Sequence, residues 1–299
     1  MPILLSLLPL LFQMSSGGII SGGSEIPIGK ARMPARHGEV SPDPAPPPVM
    51  PGLQTCQAMI AAAGNAGGAD EAIERANDWV ARAKDSEFAE AQGCLGLAHV
   101  QKGDFESAEK AFIAARNASG SDHAKRADWG AMAGNASIAA GQPARALVEL
   151  ALAHDDAAAM ADKSALGEIA FDKARALVAL GRNTEAETAL TEAASALPGN
   201  SDVWLFSATL YRHMAKLDIA QQHIEKAAAL SPLDPAVGLE AGVIAELAGR
   251  EDAARKSWKS VVAASPQSAE AAQAKAYLAQ IGEGAAQPNP TPPVKPESR

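Results

Sequence analysis

The sequence predicts an all-α chain: an α-solenoid of about six helix–turn–helix repeats closed by a C-terminal capping helix. Three observations predict it. A spaced signature returns six times, a glycine or alanine, then an alanine five residues later, then an apolar residue four after that. A small residue stands twelve positions before nearly every one of those alanines. The composition, 47% apolar with only 4% aromatic over 299 residues, is helix-favouring and short of the large side chains that one globular core would use.

In chain order the copies are Gly67, Ala72, Ala76, which is degenerate; Gly103, Ala108, Phe112; Gly141, Ala146, Leu150; Gly181, Ala186, Leu190; Ala215, Ala220, Ile224; and Gly249, Ala254, Trp258. The alanines step by 36, 38, 40, 34 and 34 residues, a period that means stacked supersecondary units. The small residues twelve positions earlier are Gly96, Gly134, Ala174, Ala208 and Gly242, with Ile60 the exception. Small pairs across a turn let two antiparallel helices approach closely, so each copy reads as a helix hairpin. The glycine falls where the first helix must end in the left-handed region. Pro198, Pro232 and Pro266 stop the last three second helices, whereas Lys84, Gly120 and Ala158 stand there earlier and predict looser ends. Finally, Ala274, Tyr277, Leu278 and Ile281 share one face of a terminal helix over 269–281 that covers the last repeat.

These residues resemble the tetratricopeptide (TPR) family, whose pattern is W-x2-L-G-x2-Y, A-x3-F and P within 34 residues. Residues 201–234 carry Trp204, Ala208, Tyr211, Ala220, Ile224 and Pro232 on that spacing, and 235–268 carry Gly242, Ala254, Trp258 and Pro266. The copy at 89–122 supplies Leu95, Gly96, Ala108, Phe112 and Ala115. The resemblance covers about 53–281 and implies a right-handed α-solenoid whose first helices line a groove for a peptide or partner protein. It also implies that the ninth position of each first helix looks into that groove: Leu97, Asn135, Arg175, Thr209 and Val243. Asn135, Arg175 and Thr209, with Asp172 and Arg212 nearby, form the candidate partner groove; an ordinary solvated helix face is the alternative. Family members that hold a chaperone tail do so with cationic clamps on the fifth and sixth positions. Here those positions hold Gly93, Ala131, Phe171, Leu205, Leu239 and Cys94, Met132, Asp172, Phe206, Glu240, so no such clamp is expected.

The segments outside the array bear on location. Residues 3–12 are an apolar run of signal-peptide length, too short to span a bilayer, so 1–23 reads as a leader and the protein as exported, periplasmic if bacterial. The run lacks a preceding basic residue, and Lys30, Arg32 and Arg36 follow it; an uncleaved leader, or a cytoplasmic protein with a misassigned start, is the alternative. Residues 24–52 and 283–299 are proline-rich and read as a disordered linker and tail around an array at 53–282. Cys56 and Cys94 fall in the first helices of adjacent repeats, where a disulfide is geometrically reasonable; two buried free thiols are the other reading.

A net charge of −9 without basic runs argues against nucleic acid. The six histidines include no i, i+4 pair for zinc, and His154 with Asp155 and Asp156 reads as a solvated polar helix end. Nucleophile elbows, phosphate loops and paired catalytic carboxylates are missing as motifs, so no catalytic site, metal or cofactor is expected. Trp79, Trp129, Trp204 and Trp258 read as core. The function expected is a non-enzymatic protein–protein interaction scaffold in the cell envelope. The alternatives are a cytosolic peptide- or ligand-sensing regulator, or a structural subunit of a larger complex.

Overall fold

The computed structural model describes residues 67–284 together with Cys56 and Ile60; the leader, the linker, the rest of 53–66 and the tail beyond Gly284 fall outside the described residues, and the last helix runs two residues into the segment read as tail. Twelve helices follow one another among them, and no strand is present. We number them α1 (Gly67–Arg82), α2 (Asp85–Lys102), α3 (Phe105–Ala118), α4 (His123–Ala139), α5 (Pro143–Ala159), α6 (Lys163–Ala179), α7 (Asn183–Ala196), α8 (Ser201–His213), α9 (Leu217–Leu230), α10 (Pro235–Leu247), α11 (Glu251–Ala264) and α12 (Ala269–Gly284). They make five complete hairpins, α2–α3 through α10–α11, preceded by the second helix of a first repeat and followed by the cap α12. The architecture is an all-α solenoid.

One turn recurs inside all five hairpins. The residue after the signature glycine or alanine donates its N–H back to a carbonyl five residues earlier: Asp104 to His99, Gln142 to Ser137, Arg182 to Leu177, Lys216 to Tyr211 and Arg250 to Ala245. Gly103, Gly141, Gly181 and Gly249 hold the left-handed conformation that this turn needs, and Ala215 adopts it too, at φ 57°. Left-handed alanine costs about 1 kcal/mol, which tertiary packing of the α8–α9 hairpin offsets. Four of the five first helices start as regularly, α2 alone having no side-chain cap. Asp122, Asp162, Asn200 and Asp234 each accept a backbone N–H two or three residues on, and Ser268 does so ahead of α12.

Most second helices stop ten residues beyond the signature alanine, at Arg82, Ala118, Ala196, Leu230 and Ala264, whether or not proline follows. Only α5 departs, running three residues further to Ala159 and closing on left-handed Ala161. The sequence predicts looser ends at all three proline-free copies, but two of them stop where the proline-stopped helices do, so proline does not set the helix length here.

The packing corrects one part of the sequence reading. A Cβ on Gly96 would lie 2.5 Å from Phe112, one on Gly134 2.5 Å from Leu150, and one on Gly242 2.1 Å from Trp258. Each small residue therefore receives the bulky side chain four positions past the signature alanine, rather than the alanine itself. The signature alanines from Ala108 to Ala254 are fully buried with those bulky partners, so each hairpin is closed by one large side chain in one gap. Ala271, Ala274 and Ile281 of α12 are buried against Leu239, Trp258 and Val261, with Tyr277 and Leu278 packed alongside. Trp79, Trp129 and Trp258 are core; Trp204 is half-buried, donating to the Pro198 carbonyl (2.9 Å) beneath the Lys226 ammonium.

Candidate functional site

The first helices α2, α4, α6, α8 and α10 recur at equivalent positions, and side-chain links tie each to a neighbouring hairpin. Three of the five predicted groove residues meet. Asn135 of α4 donates to Asp172 of α6 (2.6 Å), and Arg175 binds both Asp172 (2.9 Å) and the Asn135 side-chain carbonyl (3.2 Å). Burial pushes the Asp172 carboxyl above its ordinary range, while Arg175 and Asn135 pull it back. The other two lie elsewhere. Thr209 turns its hydroxyl onto the Leu205 carbonyl of its own helix (3.1 Å), and Arg212 is buried against Glu240 of α10 (2.6 Å). Leu97 is packed against the cluster around Phe112 and Trp129, and Val243 lies in the cluster around Trp258.

Of the three polar ninth-position residues, Asn135 and Arg175 therefore bond across the seam between repeats, whereas Thr209 bonds its own helix. Links between repeats recur along the array: Glu187 of α7 pairs with Lys216 (2.8 Å), and Arg250 donates to Gln221 of α9 (2.6 Å). Cys56 and Cys94 form a disulfide, Cα atoms 5.7 Å apart, that joins the first repeat to α2. Side-chain links thus cross several of the seams between repeats.

Sequence reasoning missed two buried polar links. Asp156, read as a solvated helix end, is 5% exposed and receives Arg116, Arg126 and His123, each at 2.9 Å. Its cations hold the carboxyl below its ordinary range despite burial, which pushes the other way. Glu109, 1% exposed, faces Arg145 (2.8 Å) and accepts from Ser137 (2.7 Å). Nothing in the repeat pattern flagged either, because their partners lie 28 to 40 residues away.

One exposed position of the first helices is repeatedly acidic. Asp128, Glu168 and Asp202 occupy the second position of three consecutive copies and are exposed, with half-buried Glu90 at the same position beside Lys125 (3.0 Å). Partial burial, then Asp122 and Asp162, pushes the Asp128 carboxyl up; burial, then Asp172, Asp162 and Asp128, does the same to Glu168. Such a face repels anions. Among the described residues no three metal-ligating side chains converge, and no helix is long and apolar enough to cross a membrane.

Helix hairpins of this length, with this turn and this interlock, define a tetratricopeptide-type α-solenoid. Solved structures agree at the level of fold. PilW, a type IV pilus biogenesis factor, superposes with a TM-score of 0.60 at 16% identity, over 77% of this chain and 96% of that one. PilF of Pseudomonas aeruginosa gives 0.58 at 13% identity over 75% and 95%, and BtubC (BKLC) of P. vanneervenii 0.54 at 17% over 82% and 98%. The chain matches no protein-family model and no curated protein.

Proposed function

We propose that this chain is a non-enzymatic scaffold that holds a peptide or partner protein along the face of its first helices, and that it acts in the cell envelope after export. The observation that carries the reading is the set of side-chain links, Asn135–Asp172–Arg175 above all, that hold consecutive first helices in fixed relation. A face assembled in advance binds without paying to order itself. Export is supported by the apolar leader and by the disulfide, a bond that persists in oxidising compartments.

The test is capture of partners by the exported protein, with and without the double change Asp128→Lys, Glu168→Lys. Both side chains are exposed, so the fold should stand while the charge of the face inverts. Loss of a cross-linked partner on inversion is the expected result. Capture that survives inversion would move the interaction to another surface, as for a structural subunit of a larger complex. Protein recovered alone after cross-linking would defeat the scaffold reading.

A further inference from the structure

One second helix presents a face unlike the others. In α5, Ala146, Leu150, Ala153 and Ala157 are buried in the cluster shared with α4 and α6. The opposite side exposes Ala144, Val148, Ala151, Leu152, Asp155 and Ala158, with Val148 59% and Leu152 39% exposed. The repeat makes the comparison direct. Two residues past the signature alanine, where α5 has Val148, the other second helices have exposed Glu74, Lys110, Thr188, Gln222 and Lys256. Four residues further, where it has Leu152, they have Asp78, Ala114, Glu192, Lys226 and Ser260. A solvated helix face is ordinarily polar. Branched apolar side chains at this register, on the one second helix that runs three residues longer, mark α5 as a contact surface.

Spacing and charge say what covers it. Ala144, Val148, Ala151, Asp155 and Ala158 follow one another at intervals of 4, 3, 4 and 3 residues, the seam of a coiled coil, which receives a helix of the same spacing. Asp155 lies in that seam with no ion-pair partner among the described residues. Arg145, at the edge of the seam and half exposed, gives Nη1 to Gln142 (2.8 Å) and Nη2 to Glu109 (2.8 Å), which leaves donors of its five unused. Lay a second α5 antiparallel on the first, with Val148 level with Ala151 of the other copy. Arg145 of each copy then comes level with Asp155 of the other, twice over, because a contact between identical faces is twofold. In a parallel pair Asp155 would meet Asp155 and Arg145 would meet Arg145. A polar residue in such a seam fixes the orientation at a cost in stability, and here only the antiparallel arrangement satisfies it. The small side chains of Ala144 and Ala151 allow the two backbones to come close.

We propose that α5 is a self-association face, on which two copies of this chain pair antiparallel through Val148, Leu152 and the reciprocal contacts of Arg145 with Asp155. The helix is about 25 Å long, so the contact buries no more than about 1,200 Å² and the dimer belongs to the weak, transient class, with a Kd of about 10–100 μM. Sedimentation velocity of the oxidised full-length chain from about 1 to 300 μM should show monomer passing into dimer over that range. Val148→Glu should abolish the dimer and Asp155→Lys should weaken it at least about tenfold, both with an unchanged circular dichroism spectrum because the two side chains are exposed. Orientation is read by cross-linking, since Cys56 and Cys94 are paired and leave no competing thiol. Chains carrying Val148→Cys, mixed with chains carrying Ala151→Cys, should form a disulfide with each other in preference to their own kind. A chain that stays monomeric at about 300 μM overturns the proposal, including the case in which α5 is covered only when a different protein is added. A dimer that survives Val148→Glu overturns the choice of face, and preferential cross-linking of each variant to itself overturns the antiparallel pairing.

Discussion

Gly242→Ala tests the interlock most directly. The added Cβ would lie 2.1 Å from Trp258 Nε1 and 2.5 and 2.6 Å from two further indole atoms. Favourable carbon contacts begin near ~3.5 Å, so the ring or α10 must shift by about 1 Å. The ring has little room: Trp258 is 1% exposed, donates to the Leu239 carbonyl at 3.2 Å and lies 5.0 Å from the Tyr277 ring. Overpacking costs about 1–3 kcal/mol and a weakened hydrogen bond about 1, against about 1 kcal/mol that alanine returns over glycine in a helix. The net loss is about 1–3 kcal/mol, or roughly 2–10 °C in Tm for an array of this size. The structure also names the compensating change. Hairpins whose small residue is alanine carry an aliphatic partner, Ala174 with Leu190 and Ala208 with Ile224, and one glycine, Gly134, also faces a leucine. In a Trp258→Leu background, Gly242→Ala is therefore expected to cost less than about 0.5 kcal/mol. Urea unfolding followed by far-ultraviolet circular dichroism measures both costs. Equal costs in the two backgrounds would refute the one-side-chain, one-gap account.

Further expectations concern charge and the disulfide. Asp128 and Glu168 titrate above their ordinary values when folded, so their contribution is favourable at low pH and is lost as pH rises through the folded pKa. Asp128→Asn with Glu168→Gln should then stabilise by about 0.5 kcal/mol at pH 7–8 and by nothing near pH 3; an equal shift at both pH values would contradict it. Burial lowers the pKa of His99, His213 and His223 below the ordinary 6.5, with Lys226 adding to the effect at His223, so the unfolded chain takes up protons first and stability falls as pH drops below that value. His223→Phe keeps a ring between Trp204 and Tyr211 and should lessen the fall in urea midpoint from pH 7 to 5; an undiminished fall counts against the assignment. Cys94→Ala should cost roughly 4 kcal/mol in the loop-entropy account, concentrated in α1 and α2. Mass spectrometry of the natural protein without reduction reads the N-terminus and the thiol state together, and alkylatable Cys56 and Cys94 would speak against export.

How much was legible follows from how far each signal reaches. Gly103, Gly141, Gly181 and Gly249 announce their turns because φ near +72° to +80° is a local demand that glycine meets. Pro198, Pro232 and Pro266 are local signals of the same kind, whereas the caps Asp122, Asp162, Asn200 and Asp234 were not read from the sequence. The groove residues were legible as positions and not as roles. Asn135 and Arg175 stand at the register that the repeat assigns, yet their hydrogen bonds run to the next repeat and to Asp172.

By itself, then, the sequence determined the hairpin, its turn and its period, since those depend on backbone preferences and on apolar spacing within some 34–40 residues. Only the tertiary structure decided that Gly242 makes room for Trp258, that Asp156 is buried among Arg116, Arg126 and His123, and that Arg212 belongs to Glu240. Each of these is a matter of which side chains meet across a seam between helices, and a charge or a gap has no meaning until the chain has brought its complement within about 3 Å.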